Sequence, residues 1–272
     1  METRNNLRQA SSAADPRAAG KAVFGAANSL AHVESAWNLV YERYLAAGFI
    51  APNDYRIHTS VHAVHPATCV VSGSHGDRIG ATMTMLADGD EGLCLDSVYR
   101  RELDILRTNG RRLLEVGLLV ADSSANVGSD MNTLFELMKW GVYYALDLDV
   151  TDIVVGVHPH HVRFYTRCFA FEQFGAETVY PLVRNKPVVA LRLRVNEQLA
   201  LQMLPRGLRH VRENPVGPDA FADRFVLSEA TLTGSRIERF LAAQHAPHAA
   251  ETAAPRLRRR PPFRLAAVPM PA

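Results

Sequence analysis

Arg111-Arg112-Leu113-Leu114-Glu115-Val116-Gly117-Leu118-Leu119-Val120 places one carboxylate inside an otherwise apolar run of strand length. Burying an unpaired carboxylate is costly, so Glu115 must pair, protonate or face a cleft. The pattern leaves two readings open: a strand residue whose side chain reaches the rim or an arginine, and a functional carboxylate. Gly117 removes a side chain midway along the strand, which marks a bulge or the close approach of a ligand. A bulge would free the N–H groups of Leu118, Leu119 and Val120 to bond an extended amide chain or polarise a carbonyl oxygen.

Around this strand the chain punctuates itself. Residues 1–30 mix Arg, Asn, Ser, Ala and Gly without apolar periodicity and read as a flexible leader. From Glu34, the residues Trp37, Val40, Tyr41, Tyr44 and Leu45 fall on one helical face, and Gly48 stops it. Ala67 to Ser72 and Ile79 to Leu86 flank a polar, glycine-containing turn and predict an antiparallel pair. Leu103 to Arg107 reads as helical, and Leu134, Leu137, Met138, Val142 and Ala145 predict a helix capped by Asp130 or Thr133. Thr151 to Val157 is a β-branched run typical of a strand covered on both faces. A short aromatic helix follows from His161 to Cys168, and Phe174 to Val183 and Val188 to Val195 alternate like closing strands. This order calls for a single α/β (α+β) domain, a central mixed sheet flanked by helices. Residues 196–244 read as a helical extension, and 245–272, prolines among arginines, as a disordered basic tail.

Composition excludes several function classes. The 272 residues are 47% apolar, and 30 basic against 28 acidic side chains leave a net charge of +2, too balanced for a protein that coats nucleic acid. Three widely spaced cysteines, Cys69, Cys94 and Cys168, suggest neither a disulfide framework nor zinc, and point to a reducing compartment. Without a signal segment or a run of ~20 apolar residues, the expected location is cytoplasmic. The tail cations Arg256, Arg258, Arg259 and Arg260 support at most weak peripheral membrane contact.

Other candidate groups are less decisive. The loop from Ala121 to Asp130 joins a strand end to a helix start, where unpaired N–H donors suit one phosphate as readily as an ordinary capped turn. His58, His62 and His65 lack the spacing and the carboxylate or cysteine partner of a metal site, so no metal is expected. His158, His160 and His161 bracket Pro159 at a strand-to-helix turn, with capping as the default role and a substrate contact second. In the aromatic cluster near Phe164, Tyr165 stands out because its hydroxyl needs a partner or can donate a proton in a cleft. Cys94 and Cys168 have no activating neighbours in sequence.

Five ordered stretches carry a resemblance. They are Tyr41-Glu42-Arg43-Tyr44 with Gly48-Phe49-Ile50; Ala81 to Met85; Leu95 to Tyr99 with Glu102-Leu103-Asp104 and Leu106-Arg107; Glu115-Val116-Gly117 with Leu119-Val120; and His158 to His161 with Phe164-Tyr165 and Ala170-Phe171-Glu172. On these, residues 34–195 resemble the N-acyl amino acid synthase (FeeM-type) branch of the GNAT acyltransferases, relatives of the acyl-homoserine-lactone synthases. The resemblance implies a GNAT-like acyltransferase fold in which a long-chain fatty acyl group arrives on the phosphopantetheine of acyl carrier protein and is attacked by an amino-acid amine.

It further implies that the arm lies between two splayed strands, Leu113 to Val120 and Thr151 to Val157. Glu115 then orients or deprotonates the amine, Tyr165 sits near the thiolate leaving group, Leu118, Leu119 and Val120 face the thioester, and Gly128 and Ser129 hold the pantetheine phosphate. No cofactor would be bound permanently, since acyl-phosphopantetheine is a co-substrate. The loop Ala125-Asn126-Val127-Gly128-Ser129-Asp130 keeps one glycine of the coenzyme A pattern, which suits a single phosphate. Gly117-Leu118 stands where lactone synthases carry Ser-Arg, and Ala170 replaces the glycine usual before Phe171. The alternatives are a coenzyme A-dependent GNAT N-acetyltransferase and a non-catalytic sensor that binds acyl carrier protein. Arg111, Arg112, Arg163 and Arg167 are candidates for a basic docking surface toward that acidic partner.

Overall fold

A computed structural model describes residues 22–122 and 131–245. Its sheet has eight strands: β1 (Val23–Ala26), β2 (Cys69–His75), β3 (Arg78–Ala87), β4 (Leu113–Ala121), β5 (Asp152–Val157), β6 (Glu172–Gln173), β7 (Thr178–Tyr180) and β8 (Lys186–Arg194). The order is β1-β2-β3-β4-β5-β8-β6, with β7 also on β8. Among the described ladders only β4/β5 is parallel, so the expected mixed sheet is present. The helices are α1 (Leu30–Ala46), α2 (Asp96–Thr108), α3 (Met131–Asp147), α4 (Val162–Phe169), α5 (Val195–Leu199), α6 (Arg206–Glu213), α7 (Glu229–Leu232) and α8 (Arg236–His245).

Strand alternation sends side chains to two apolar layers. Met83 and Met85 of β3, Leu114 and Val116 of β4, and Ile153 and Val155 of β5 pack with Phe135 and Met138 of α3, Phe169 of α4 and Leu208 of α6. On the other face Leu86, Leu113 and Val154 meet Trp37 of α1, Leu103 of α2 and Phe240 of α8. Trp37 is fully buried, and its ring N–H is satisfied by Thr84 Oγ1 at 3.0 Å.

Several boundaries differ from expectation. Strand β1 lies within the stretch read as leader, because Val23–Ala26 find backbone partners on β2 that no periodicity in so short a segment announces. The helix expected at Leu103 to Arg107 begins at Asp96 and kinks at Tyr99 (φ −129°, ψ 27°). Phe174 to Val183 is not one strand: the Phe174 N–H donates to Ala190 O at 3.0 Å, Thr178–Tyr180 forms the β7 ladder with β8, and Pro181–Val183 closes a 3₁₀ turn. Thr133 lies inside α3 rather than at its cap, while Asp130 and the tail from 246 onward fall outside the described residues. Arg111 and Arg112 are both engaged within the fold, Arg112 as an exposed residue. The Arg111 guanidinium donates to Asp152, which is wholly buried, and to Glu197 at 3.1 Å; Arg112 Nε donates to Asp149 O at 2.6 Å. Arg163 and Arg167 are exposed on α4. Among the described residues no helix is long and apolar enough to cross a membrane.

Helix α4 ends on Ala170 in the left-handed region (φ 57°), its N–H bonding Thr166 O at 3.1 Å. A Cβ is strained there. Ala170→Gly is expected to stabilise the fold by about 1 kcal/mol, read as a higher midpoint in urea; a lower midpoint would show that the lost methyl outweighs the relieved strain.

Candidate active site

Strands β4 and β5 pair for three rungs only, Leu113/Asp152, Leu114/Ile153 and Glu115/Val154. Beyond them β5 continues to Val157 on β8 alone. Strand β4 bulges instead: Thr82 opposes Val120 and Thr84 opposes Gly117, so Leu118 and Leu119 share one position opposite β3. The residue that takes the left-handed turn is Leu118 (φ 49°), one beyond the glycine that advertised it. Leu118 turns toward the α1/α2 layer and Leu119 toward the α3 layer. The expected splay is therefore present, with Glu115 at the last closed rung.

Glu115 is 4% exposed, and no ion pair reaches it among the described residues. The reading in which it reaches an arginine is set aside. Its Oε2 accepts the Leu95 N–H at 3.1 Å. Burial pushes the carboxyl up to about 8; the Leu95 and Cys94 amides pull it down, and the Asp96 and Asp88 charges push it further up.

Those amides are held by a turn between β3 and α2. Arg107 forks onto Asp88 at 2.7 and 2.8 Å and onto Asp96 at 2.8 and 2.7 Å, and Asp96 Oδ2 accepts the Leu93 N–H at 2.7 Å. Gly92 (φ 69°) is required there, since a Cβ would stand 2.6 Å from Asp96 Oδ2. Gly156 on β5 makes room for Leu95, whose Cδ2 would lie 2.7 Å from an added Cβ. The sequence reading missed this turn; its signals were Gly92 and the Asp96…Arg107 pair.

A cavity of about 220 Å³ opens on this carboxyl, walled by Tyr44 of α1 and Phe49 beyond it, His58 to Ser60, Cys94, the bulge, Gly156 to His158, the segment from Tyr180 to Val188, and Gln244 of α8. Burial pushes His58 down to about 4, so its ring is neutral, and raises the Tyr44 and Tyr180 phenols. Cys94 Sγ lies 3.1 Å from Ser60 Oγ, and burial next to Glu115 raises the thiol, so it is a poor nucleophile.

The other sequence candidates scatter. Tyr165 packs edge-on between Phe164 (5.5 Å) and Phe171 (5.4 Å) in the α3 layer and does not line the cavity; Tyr44 and Tyr180 do. Burial pushes Tyr165 up to about 12. Gly128 and Ser129 lie outside the described residues. His158 lines the cavity and also caps, its Nδ1 accepting the His160 N–H at 3.3 Å. His62 faces Gly92 O at 3.2 Å and His65 accepts the Ala67 N–H at 3.1 Å, so each ring has its own backbone partner. Among the described residues no three His, Cys, Asp or Glu gather as metal ligands.

The model of the family described as N-acyl amino acid synthase FeeM matches residues 35–194. Among solved structures, FeeM, an N-acyl amino acid synthase from uncultured soil microbes, aligns at 24% identity and a TM-score of 0.59, covering 66% of this chain and 95% of its own. TofI, in a ternary complex with an inhibitor and MTA, aligns at 17% identity and a TM-score of 0.52, covering 70% and 100%. The CoA-dependent acyl-homoserine lactone synthase BjaI aligns at 9% and 0.51, covering 71% and 100%. These likenesses establish a GNAT-like acyltransferase fold. No curated protein matches.

The raised carboxyl predicts a pH-dependent stability. Folded Glu115 keeps its proton up to about 8, whereas the unfolded chain releases it near the ordinary 4.5. The folded state thus binds the extra proton between those values, and its stability falls as pH rises through them. Glu115→Gln removes this loss and is expected to be more stable than the parent at pH 8.5, on the order of a few kcal/mol. Urea titrations at pH 5 and 8.5 check this; parallel pH dependence in both proteins would contradict it.

Proposed function

This chain belongs to the N-acyl amino acid synthase family and is an acyltransferase, and from that premise we propose that it moves a long-chain fatty acyl group from acyl carrier protein to the amine of an amino acid. The observation that carries the reading is a buried carboxyl without a cationic mate, at the foot of two parting strands and open to a cavity.

The chemistry needs such a group. An ammonium cannot attack a thioester, so the acceptor must first lose a proton. A carboxyl titrating at about 8 is matched to an amine's proton far better than one in the ordinary range. In this scheme the acceptor first gives its ammonium proton to water, the neutral amine attacks the carbonyl carbon, Glu115 takes the second proton released from nitrogen, the C–S bond breaks, and that second proton passes from Glu115 to the departing thiolate. Donors on the bulged strand at Leu118, Leu119 and Val120 would meet the carbonyl oxygen. The pantetheine arm would enter between β4 and β5, and its phosphate would be held by the loop containing Gly128 and Ser129.

Acyl carrier protein is favoured over coenzyme A as donor because that loop retains one glycine of the coenzyme A pattern, and because Arg163 and Arg167 are exposed on the helix that follows β5. The three free cysteines suit a cytoplasmic setting.

Incubation with long-chain acyl carrier protein and each amino acid is expected to yield N-acyl amino acids by mass spectrometry, with acyl coenzyme A a poorer donor. A product formed only from coenzyme A thioesters would reverse the donor assignment, and no product from either would overturn the reading. Glu115→Gln should lower kcat by roughly 10²- to 10⁴-fold, and the parent's rate should climb with pH up to about 8. Reversing Arg163 and Arg167 to Glu should raise KM for the carrier protein, most strongly at low salt.

A further inference from the structure

We propose that Tyr180 and Lys186, opposite one another on β7 and β8 at the cavity wall, form a subsite for the carboxylate of the acceptor amino acid. This rests on the reading of the cavity as the site of acyl transfer.

In an α-amino acid a single carbon separates nitrogen from carboxylate. With the nitrogen against Glu115, the carboxylate must settle on the adjoining wall. Tyr44, Thr59 and Gln244 line the cavity as uncharged donors with no cation opposite them in a ladder, Leu86, Val116, Gly117 and Leu118 offer it no side-chain donor, and Ser60 and Cys94 face each other. Tyr180 does offer one. Its hydroxyl has no hydrogen-bond partner among the described residues, and burial keeps it protonated, hence a permanent donor. The same phenol lines one cavity with Glu115 and Cys94.

Lys186 supplies the charge. It is the one Lys or Arg among the described residues that lines the cavity, and no carboxylate pairs with it there. The β7/β8 register sets Tyr180 directly opposite Lys186, which puts the two side chains on the same face about 5 Å apart at their bases. The ladder is pinned by Tyr99, whose hydroxyl lies 2.7 Å from Ala176 O and 2.8 Å from Val188 O. The Glu115 carboxyl at one end and the Lys186 ammonium at the other match the amine and the carboxylate of a free amino acid; a simple amine would leave Lys186 unanswered.

The test compares free amino acids with their decarboxylated counterparts, glycine with methylamine, leucine with isopentylamine and phenylalanine with phenethylamine, using acyl carrier protein thioesters. Lys186→Met is expected to raise KM for the amino acids about tenfold or more and Tyr180→Phe about fivefold, with kcat/KM for the amines and KM for the acyl donor within about twofold of the parent. Melting temperatures should stay level, because neither side-chain tip has a protein partner to lose. An unchanged preference for amino acids over amines in both variants overturns the subsite while leaving the transfer reading intact. Equal losses on amino acids and amines overturn it too, by placing the two groups at the reacting carbonyl or in a structural role. A parent enzyme that acylates no amino acid overturns the transfer reading itself.

Discussion

Three rungs of parallel ladder, and no more, hold β4 to β5, and the site follows from that brevity. At the closed end the buried carboxylate of Asp152 receives the Arg111 guanidinium and the Thr151 hydroxyl (2.7 Å), which fixes the two strands at one point. Past Glu115 each strand is committed on its far side, β4 to β3 and β5 to β8. Neither needs the other to satisfy its outer edge, so they part without unravelling the sheet. The left-handed turn at Leu118 lets β4 lean away while its ladder to β3 resumes at Val120. The notch is therefore framed by strands that are each paired on their far side.

The last closed rung is also where a carboxyl meets the least water without meeting a cation. A guanidinium beside Glu115 would hold it ionised and pinned; a wholly apolar surround would keep it protonated through the working range. The Leu95 and Cys94 amides sit between these extremes, contributing dipoles but no charge. Their placement is expensive in arginine: Arg107 is spent on Asp88 and Asp96 so that the turn carrying them stays rigid, and none of that positive charge contacts Glu115 directly. The raised carboxyl weakens the fold at alkaline pH, and in the proposed reaction this is the stability given up to keep a base poised.

How much of this was legible depends on whether a residue's role is local. Glu115 broke the apolar pattern of its own strand, so it could be singled out from ten residues. The hairpin, α1 and α3 carried their periodicities openly. Leu118 carried nothing: a leucine with positive φ is imposed by register, and Gly117 beside it advertised the bulge one position early. The turn before α2 depends on Gly156 from β5 making room for Leu95, a contact between residues far apart in sequence that no local window contains. Tyr165 packs in the α3 layer and Tyr180 lines the cavity, a difference with the same origin. Tyr165 lay in a conspicuous aromatic cluster, which is what core packing looks like, whereas Tyr180 sat in a three-residue strand whose pairing only the fold reveals.

The region beyond the family match has a share in the site as well. The matched segment ends at residue 194, yet Gln244 of α8 forms part of the cavity wall. Helix α8 is seated by contacts with the matched core: Arg236 meets Glu34 of α1 through both its backbone N–H (2.9 Å) and its guanidinium (3.1 Å), and Phe240 packs edge-on against Tyr55 at 6.3 Å. Its apolar residues Ile237, Phe240 and Leu241 are buried in the same layer as Trp37 and Leu103, the layer toward which Glu115 faces. A core that stopped at β8 would leave this layer uncovered where the cavity opens, and water would reach the carboxyl whose properties depend on its exclusion. The helical extension is thus joined to the chemistry through packing: it closes the dry side of the notch, and with it sets the space left for what enters.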